Sequence, residues 1–209
     1  MFSLVEIGTY MVVVLALFLV PGPAVLLTLA RSIKGGARAG IATGLGIAVG
    51  DIVHTLMAVL GLSAILMTSA LAFDVVKYCG AAYLVYLGYR AWREHGGALD
   101  LPDVARVPDR SAFRQAVVTE LLNPKTALFF LSFLPQFVHV ERGAPSLQLV
   151  VLGAIFVAMS ISYTTLLALA AAPAAAWIGR NRTIGRWQGK VIGGLYVGLG
   201  LQLALQQRS

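Results

Sequence analysis

Apolar residues run through this chain in blocks of about 20, the length a helix needs to cross a bilayer. Six blocks stand out, at about 4–30, 39–67, 70–90, 113–139, 147–172 and 186–205. The pattern predicts an all-α polytopic membrane protein with six transmembrane helices. Most connections are short. The exception lies around residues 96–112, where Gly96, Gly97, Pro102 and Pro108 mix with Asp100, Asp103 and Asp109, and it reads as a solvated linker. It divides a single membrane domain into residues 1–95 and 113–209. No polar stretch is long enough to form a separate soluble domain.

Two of the blocks are interrupted. The first holds Pro21-Gly22-Pro23, and the fourth holds Asn123-Pro124-Lys125. Proline removes an amide donor and clashes with the preceding turn. Backbone groups freed in this way cannot face lipid, so they must line protein or a wet cavity. Interrupted spans at corresponding places in two halves point to the binding site of a secondary transporter.

The halves echo each other elsewhere. Lys77-Tyr78-Cys79-Gly80-Ala81-Ala82-Tyr83 in the third block and Lys190-Val191-Ile192-Gly193-Gly194-Leu195-Tyr196 in the sixth share the pattern K-x-x-G-x-x-Y. Gly and Tyr are common near membrane interfaces, so one such match alone is weak. Together with the matched breaks it predicts a 3+3 repeat with a broken first helix in each half. Three spans is an odd number, so the second half enters the membrane inverted.

Composition and charge sharpen this picture. Hydrophobic residues are 58% of the chain and charged ones 12%, about half the charged share of a soluble domain. The net charge of +7 is not spread evenly. Arg31, Lys34 and Arg38 fall in the first connection. Arg90, Arg93, Arg106, Arg110 and Arg114 fall in or beside the linker, and Arg180, Arg182, Arg186 and Lys190 precede the last block. These are twelve of the 16 Lys and Arg residues, all on one side, which predicts that side to be cytoplasmic and both termini to be periplasmic. The basic balance therefore reflects topology and not nucleic-acid binding. Trp92, Trp177 and Trp187 fall at the same ends, as an interfacial belt would. The first block lacks a basic n-region and a small-residue cleavage site, and is expected to be retained as a span. The lone Cys79 excludes an intrachain disulfide and a thiol relay that needs a pair.

Candidate chemistry is sparse. Asp51 stands about a dozen residues into the second block, near the midplane. A carboxylate there is costly and is functional by default, although a structural ion pair is the plainer alternative. Lys125 lies at similar depth, placed to hold a substrate carboxylate or to neutralise Asp51. Glu120 reads equally as a functional or an interfacial group, and Lys77 reads as a snorkelling side chain. His54 shares a helix face with Asp51. With no further ligand at a suitable spacing, it reads as a packing histidine rather than a metal site. Glycines four apart, at Gly40 and Gly44, Gly46 and Gly50, Gly189 and Gly193, and Gly194 and Gly198, form small faces for close helix approach, within the chain or in a homodimer. No nucleophile–base set and no phosphate-binding glycine loop occurs, so neither an enzyme nor a bound cofactor is expected.

Taken together, Pro21-Gly22-Pro23, Gly40 to Gly50-Asp51-Ile52-Val53-His54, Gly80-Ala81-Ala82-Tyr83-Leu84, Leu122-Asn123-Pro124-Lys125 and Phe133-Leu134-Pro135-Gln136-Phe137 resemble the LysE/RhtB family of bacterial inner-membrane amino-acid exporters. The resemblance spans the whole chain in order. It implies efflux of an amino acid or a close derivative, driven by the proton gradient. Its broken-helix prolines and membrane aspartate map onto Pro21, Pro23 and Asp51, and its Asn-Pro-Lys motif onto Asn123, Pro124 and Lys125. Ala24 and Glu120 depart from the residues common in the family. The expected substrate site is thus Pro21, Gly22, Pro23, Asp51, Asn123, Pro124 and Lys125, with Asp51 as the proton-coupling group. The partners expected are an amino acid, protons and the lipid bilayer. The near balance of interior charges favours a neutral amino acid. A metal or inorganic-ion exporter of similar architecture and a non-transporting membrane assembly subunit remain the alternatives.

Overall fold

The computed structural model describes residues 2–62 and 101–180, with isolated positions between 71 and 89 and between 194 and 198. Lys77, Cys79, Lys190 and most of the third and sixth blocks lie outside the described residues. The K-x-x-G-x-x-Y echo lies there with them. Among the described residues the chain is helical and has no strand. The helices are α1 (Leu4–Leu19), α2 (Pro23–Gly35), α3 (Ala37–Met57), α4 (Asp109–Leu121), α5 (Pro124–Ser132) and α6 (Pro145–Arg180). Ala37–Gly61 and Pro145–Ala171 are each long and apolar enough to cross a membrane. The bent pairs α1–α2 and α4–α5 raise the candidate spans among the described residues from two to as many as four.

Both breaks form as the prolines require. α1 starts at a capping box, in which Ser3 and Glu6 satisfy each other's amides. It ends where Pro21 offers no N–H to the carbonyl of Leu17. The chain turns by 59° and restarts with Pro23 at the first helical position, where a missing amide costs nothing. The second break repeats the device. Pro124 has no N–H for Glu120, the bend is 49°, and α5 starts at Pro124 with Asn123 as its N-cap.

Three expectations need correction. The first block does not stop near 30, because α2 runs to Gly35. Only Gly36, at φ 83°, separates it from α3; glycine tolerates that left-handed turn. Arg31, Lys34 and Arg38 are therefore helical rather than in a loop, and Arg31 is buried. The fifth block does not end near 172. α6 continues through Pro173 to Arg180, since the helix outlasts the apolar run that marked its edge. Nor is the described part of the linker simply solvated. Val104 is buried, and Leu101 packs with it against α2, α3, α4 and α6. The Arg31 guanidinium donates to the carbonyl of Ala105 and the side chain of Gln115. Lys34 pairs with Asp103, and Arg38 with Asp109 at 2.7 Å.

α3 lies between α4 and α6. Gly46 and Gly50 face Phe113, Ala116 and Glu120 on α4, while Gly40 and Gly44 face Ala168 and Thr164 on α6. These glycine faces thus serve packing inside the chain. Among the described residues, two of the apolar clusters involve the bent pairs. One gathers Tyr10, Val13 and Leu17 of α1 with Phe129, Phe130 and Phe156. The other gathers Leu27, Ala30 and Ile47 with the linker's Val104.

Candidate functional site

The bent pairs face each other across a small cavity of about 30 Å³, room for about one water molecule. Of the residues expected in the site, Gly22, Asp51, Asn123 and Lys125 line it. Pro21, Pro23 and Pro124 set the bends but do not line it, and Pro23 and Pro124 are exposed. The prolines create the cavity without contributing to its wall.

Lys125 joins the two breaks. Its Nζ donates to the carbonyls of Leu17 and Val20 at 2.5 Å each, both at the end of α1. Leu17 is the carbonyl that Pro21 leaves without a partner. The lysine stem passes so close to Gly22 that a Cβ there would come within 3.0 Å of its Cδ. Lys125 therefore does not pair with Asp51 in this arrangement.

The second break is satisfied differently. The Nε2–H of His54 donates to the carbonyl of Glu120 at 2.9 Å, and the ring stacks on Phe130. This is the packing role read from the sequence. The Asn123 side chain accepts from the Lys125 amide at 3.1 Å, and its Nδ2 donates to Glu120 Oε2 and Thr126 Oγ1. The N-terminus of α5 is thus capped from within. The N-terminus of α2 is not, because its cap is Gly22, which has no side chain. Gly22, Ala24 and Val25 line the cavity there.

Two carboxyls share the space. Asp51 and Glu120 are each 1% exposed. Asp51 lies beside Glu120 and the Ser160 hydroxyl, and its Oδ2 is buried without a hydrogen-bond partner among the described residues. A buried acceptor left unpaired costs about 1–3 kcal/mol, so the position calls for a donor. Glu120 is therefore an interior group and not an interfacial one. Leu17, Phe18, Val25 and Ile47 supply apolar wall. Ser160, Tyr163 and Thr164 line the cavity from α6 and were not anticipated. The available signal was the hydroxyl cluster Ser160-Ile161-Ser162-Tyr163-Thr164-Thr165 inside an apolar run, in which Ser160 and Thr164 are one turn apart. No group of three His, Cys, Asp or Glu side chains gathers as a metal-ligand set among the described residues.

Comparison with known proteins gives consistent results. A family model described as LysE type translocator matches residues 15–207. An uncharacterised membrane protein of Pseudomonas aeruginosa is 34% identical, covering 97% of this chain and 96% of its own. A leucine efflux protein of Salmonella typhimurium is 30% identical over 99% of this chain and 98% of its own. One of Klebsiella pneumoniae is 28% identical over the same shares. No solved structure matches.

Proposed function

The chain belongs to the LysE type translocator family, and from that premise we propose that it exports a neutral, apolar amino acid across a bacterial inner membrane in exchange for protons. The observation that carries this reading is the cavity between the breaks, where two carboxyls, one ammonium and an uncapped helix N-terminus meet. An amino acid has a carboxylate, an ammonium and a side chain, and each finds a counterpart there. The carboxylate suits the free amides and the positive dipole end of α2. The ammonium suits the unpaired Oδ2 of Asp51. The side chain meets Leu17, Phe18, Val25 and Ile47. The names of the Salmonella and Klebsiella relatives make leucine the first substrate to test.

Charge balance supplies the coupling. With Lys125 charged, Asp51 and Glu120 leave the empty cavity neutral when they hold one proton between them. The substrate ammonium takes that proton's place beside the carboxyls, and the negative charge brought by the substrate carboxylate is met by the amides and dipole at the start of α2, so loading the zwitterion expels the proton. Like-charged carboxyls this close share a proton readily. The basic connections then lie in the cytoplasm and the six spans form two inverted halves, with both termini periplasmic.

Reconstituted in liposomes, the chain is expected to show leucine counterflow and acid-driven leucine uptake. Asp51→Asn keeps its membrane insertion and loses the response to a pH gradient. Normal proton-driven flux in that variant would falsify the coupling role. An absence of counterflow with every neutral amino acid would overturn the substrate class.

A further inference from the structure

At the end of α1 two carbonyls are left over. Leu17 has lost its donor to Pro21, and Val20 lies past the last turn. They form the negative end of a half-helix, inside a protein where lipid cannot satisfy them. Both point at one spot, and that spot holds the Lys125 Nζ at 2.5 Å from each. The cavity's carboxyls, Asp51 and Glu120, line the same space. Unwound carbonyls at a half-helix end, set beside carboxylates, are the surroundings that secondary transporters use to hold an alkali cation. Here the cation is covalently attached. Lys125 reaches across from the opposite break, its own amide fixed by Asn123 and its stem admitted by the missing side chain of Gly22.

We propose that Lys125 is a tethered cation occupying an alkali-ion position, so that the chain joins its two breaks with its own charge and needs no sodium ion from solution. The lysine is a positioning residue in this scheme. It holds the end of α1 against the start of α5, and the substrate carboxylate goes to α2 instead. The flux part of the inference rests on the transport reading above, and the stability part does not.

Purified wild type and Lys125→Ala are compared in choline, sodium and ethylammonium chloride, by leucine counterflow in liposomes and by thermal unfolding in detergent. Wild type is expected to be indifferent to the cation in both assays. Lys125→Ala is expected to lose flux about tenfold or more in choline, the effect of unpairing two buried carbonyls. Sodium or ethylammonium then restores most of the flux and raises the unfolding temperature of the variant by on the order of 5 °C, as ligand binding to the native state does. A variant that responds to neither cation in either assay overturns the proposal, as does a wild type that responds to sodium. If Lys125→Ala cannot be purified, Lys125→Met is measured in its place under the same criteria. A cation-dependent unfolding temperature without any counterflow in wild type leaves the tethered cation standing and removes the transport reading.

Discussion

Two carboxyls and one lysine share the cavity, and their neighbours divide the work among them. Asp51 keeps an oxygen free, Glu120 accepts from Asn123, and Lys125 is committed to carbonyls. Glu120→Gln keeps the shape and the acceptor but removes the second proton site. Proton-driven leucine flux is expected to fall about tenfold or more while sodium-independent counterflow survives, the signature of a lost acid–base group. The glycines make a contrasting pair. Gly46 lies against the backbone carbonyl of Phe113, which cannot yield, so Gly46→Ala is expected to cost about 1–3 kcal/mol in detergent unfolding. Gly8 has open space around it on α1, and Gly8→Ala is expected to be neutral or to stabilise by up to about 1 kcal/mol. Asp51, Asn123 and Lys125 were legible in the sequence because a charge or a proline motif in an apolar run has few innocent explanations. Glu120 is ambiguous in the sequence because depth along a straight helix takes no account of the bend, which changes what lies beside it. Ser160 and Thr164 left little trace, because a hydroxyl can satisfy itself locally, as Thr164 does on the carbonyl of Ser160 at 2.7 Å.

At the level of elements, the breaks could be read because proline forces them, whereas the helix ends could not. α2 and α3 are separated by one glycine, and hydropathy has no means of showing so short a turn. The seating of the linker escapes hydropathy for a related reason. Its composition is polar, but Leu101 and Val104 are enough to seat it, and Arg31 holds its backbone from below. Arg31→Ala should therefore free the segment without unfolding the bundle. Trypsin is expected to cut at the exposed Arg106 several-fold faster in the variant, measured on the purified protein. The flanking pairs contribute less, since Lys34 and Asp103 are exposed and such bridges are worth about 0–1 kcal/mol. The Lys34 hydrogen bond and charge hold the Asp103 carboxyl below its usual range. That pairing is complete above about pH 4 and is lost as the pH falls through the lowered value. Cleavage at Arg106, taken relative to an unstructured control peptide in the same buffer, should consequently not change between neutral and mildly acidic pH.

For the molecule as a whole, α3 has no slack on either side. Its glycines bring the α4 backbone close on one face and α6 close on the other, near enough that added methyl groups would collide. Small residues at the contact let such helices pack closely. α1 is attached differently, through ring contacts, the Tyr10 hydroxyl on the Leu152 carbonyl and the Lys125 ammonium. The described helices are thus held in two ways, α3, α4 and α6 by close approach at glycines and α1 by side chains that meet α6 and the broken ends. Hydrogen exchange should reproduce that division, with the slowest amides in the middle of α3 and faster ones at the end of α1. If the chain transports as proposed, the side-chain contacts of α1 are the ones expected to give way, with the glycines of α3 holding the opposite wall.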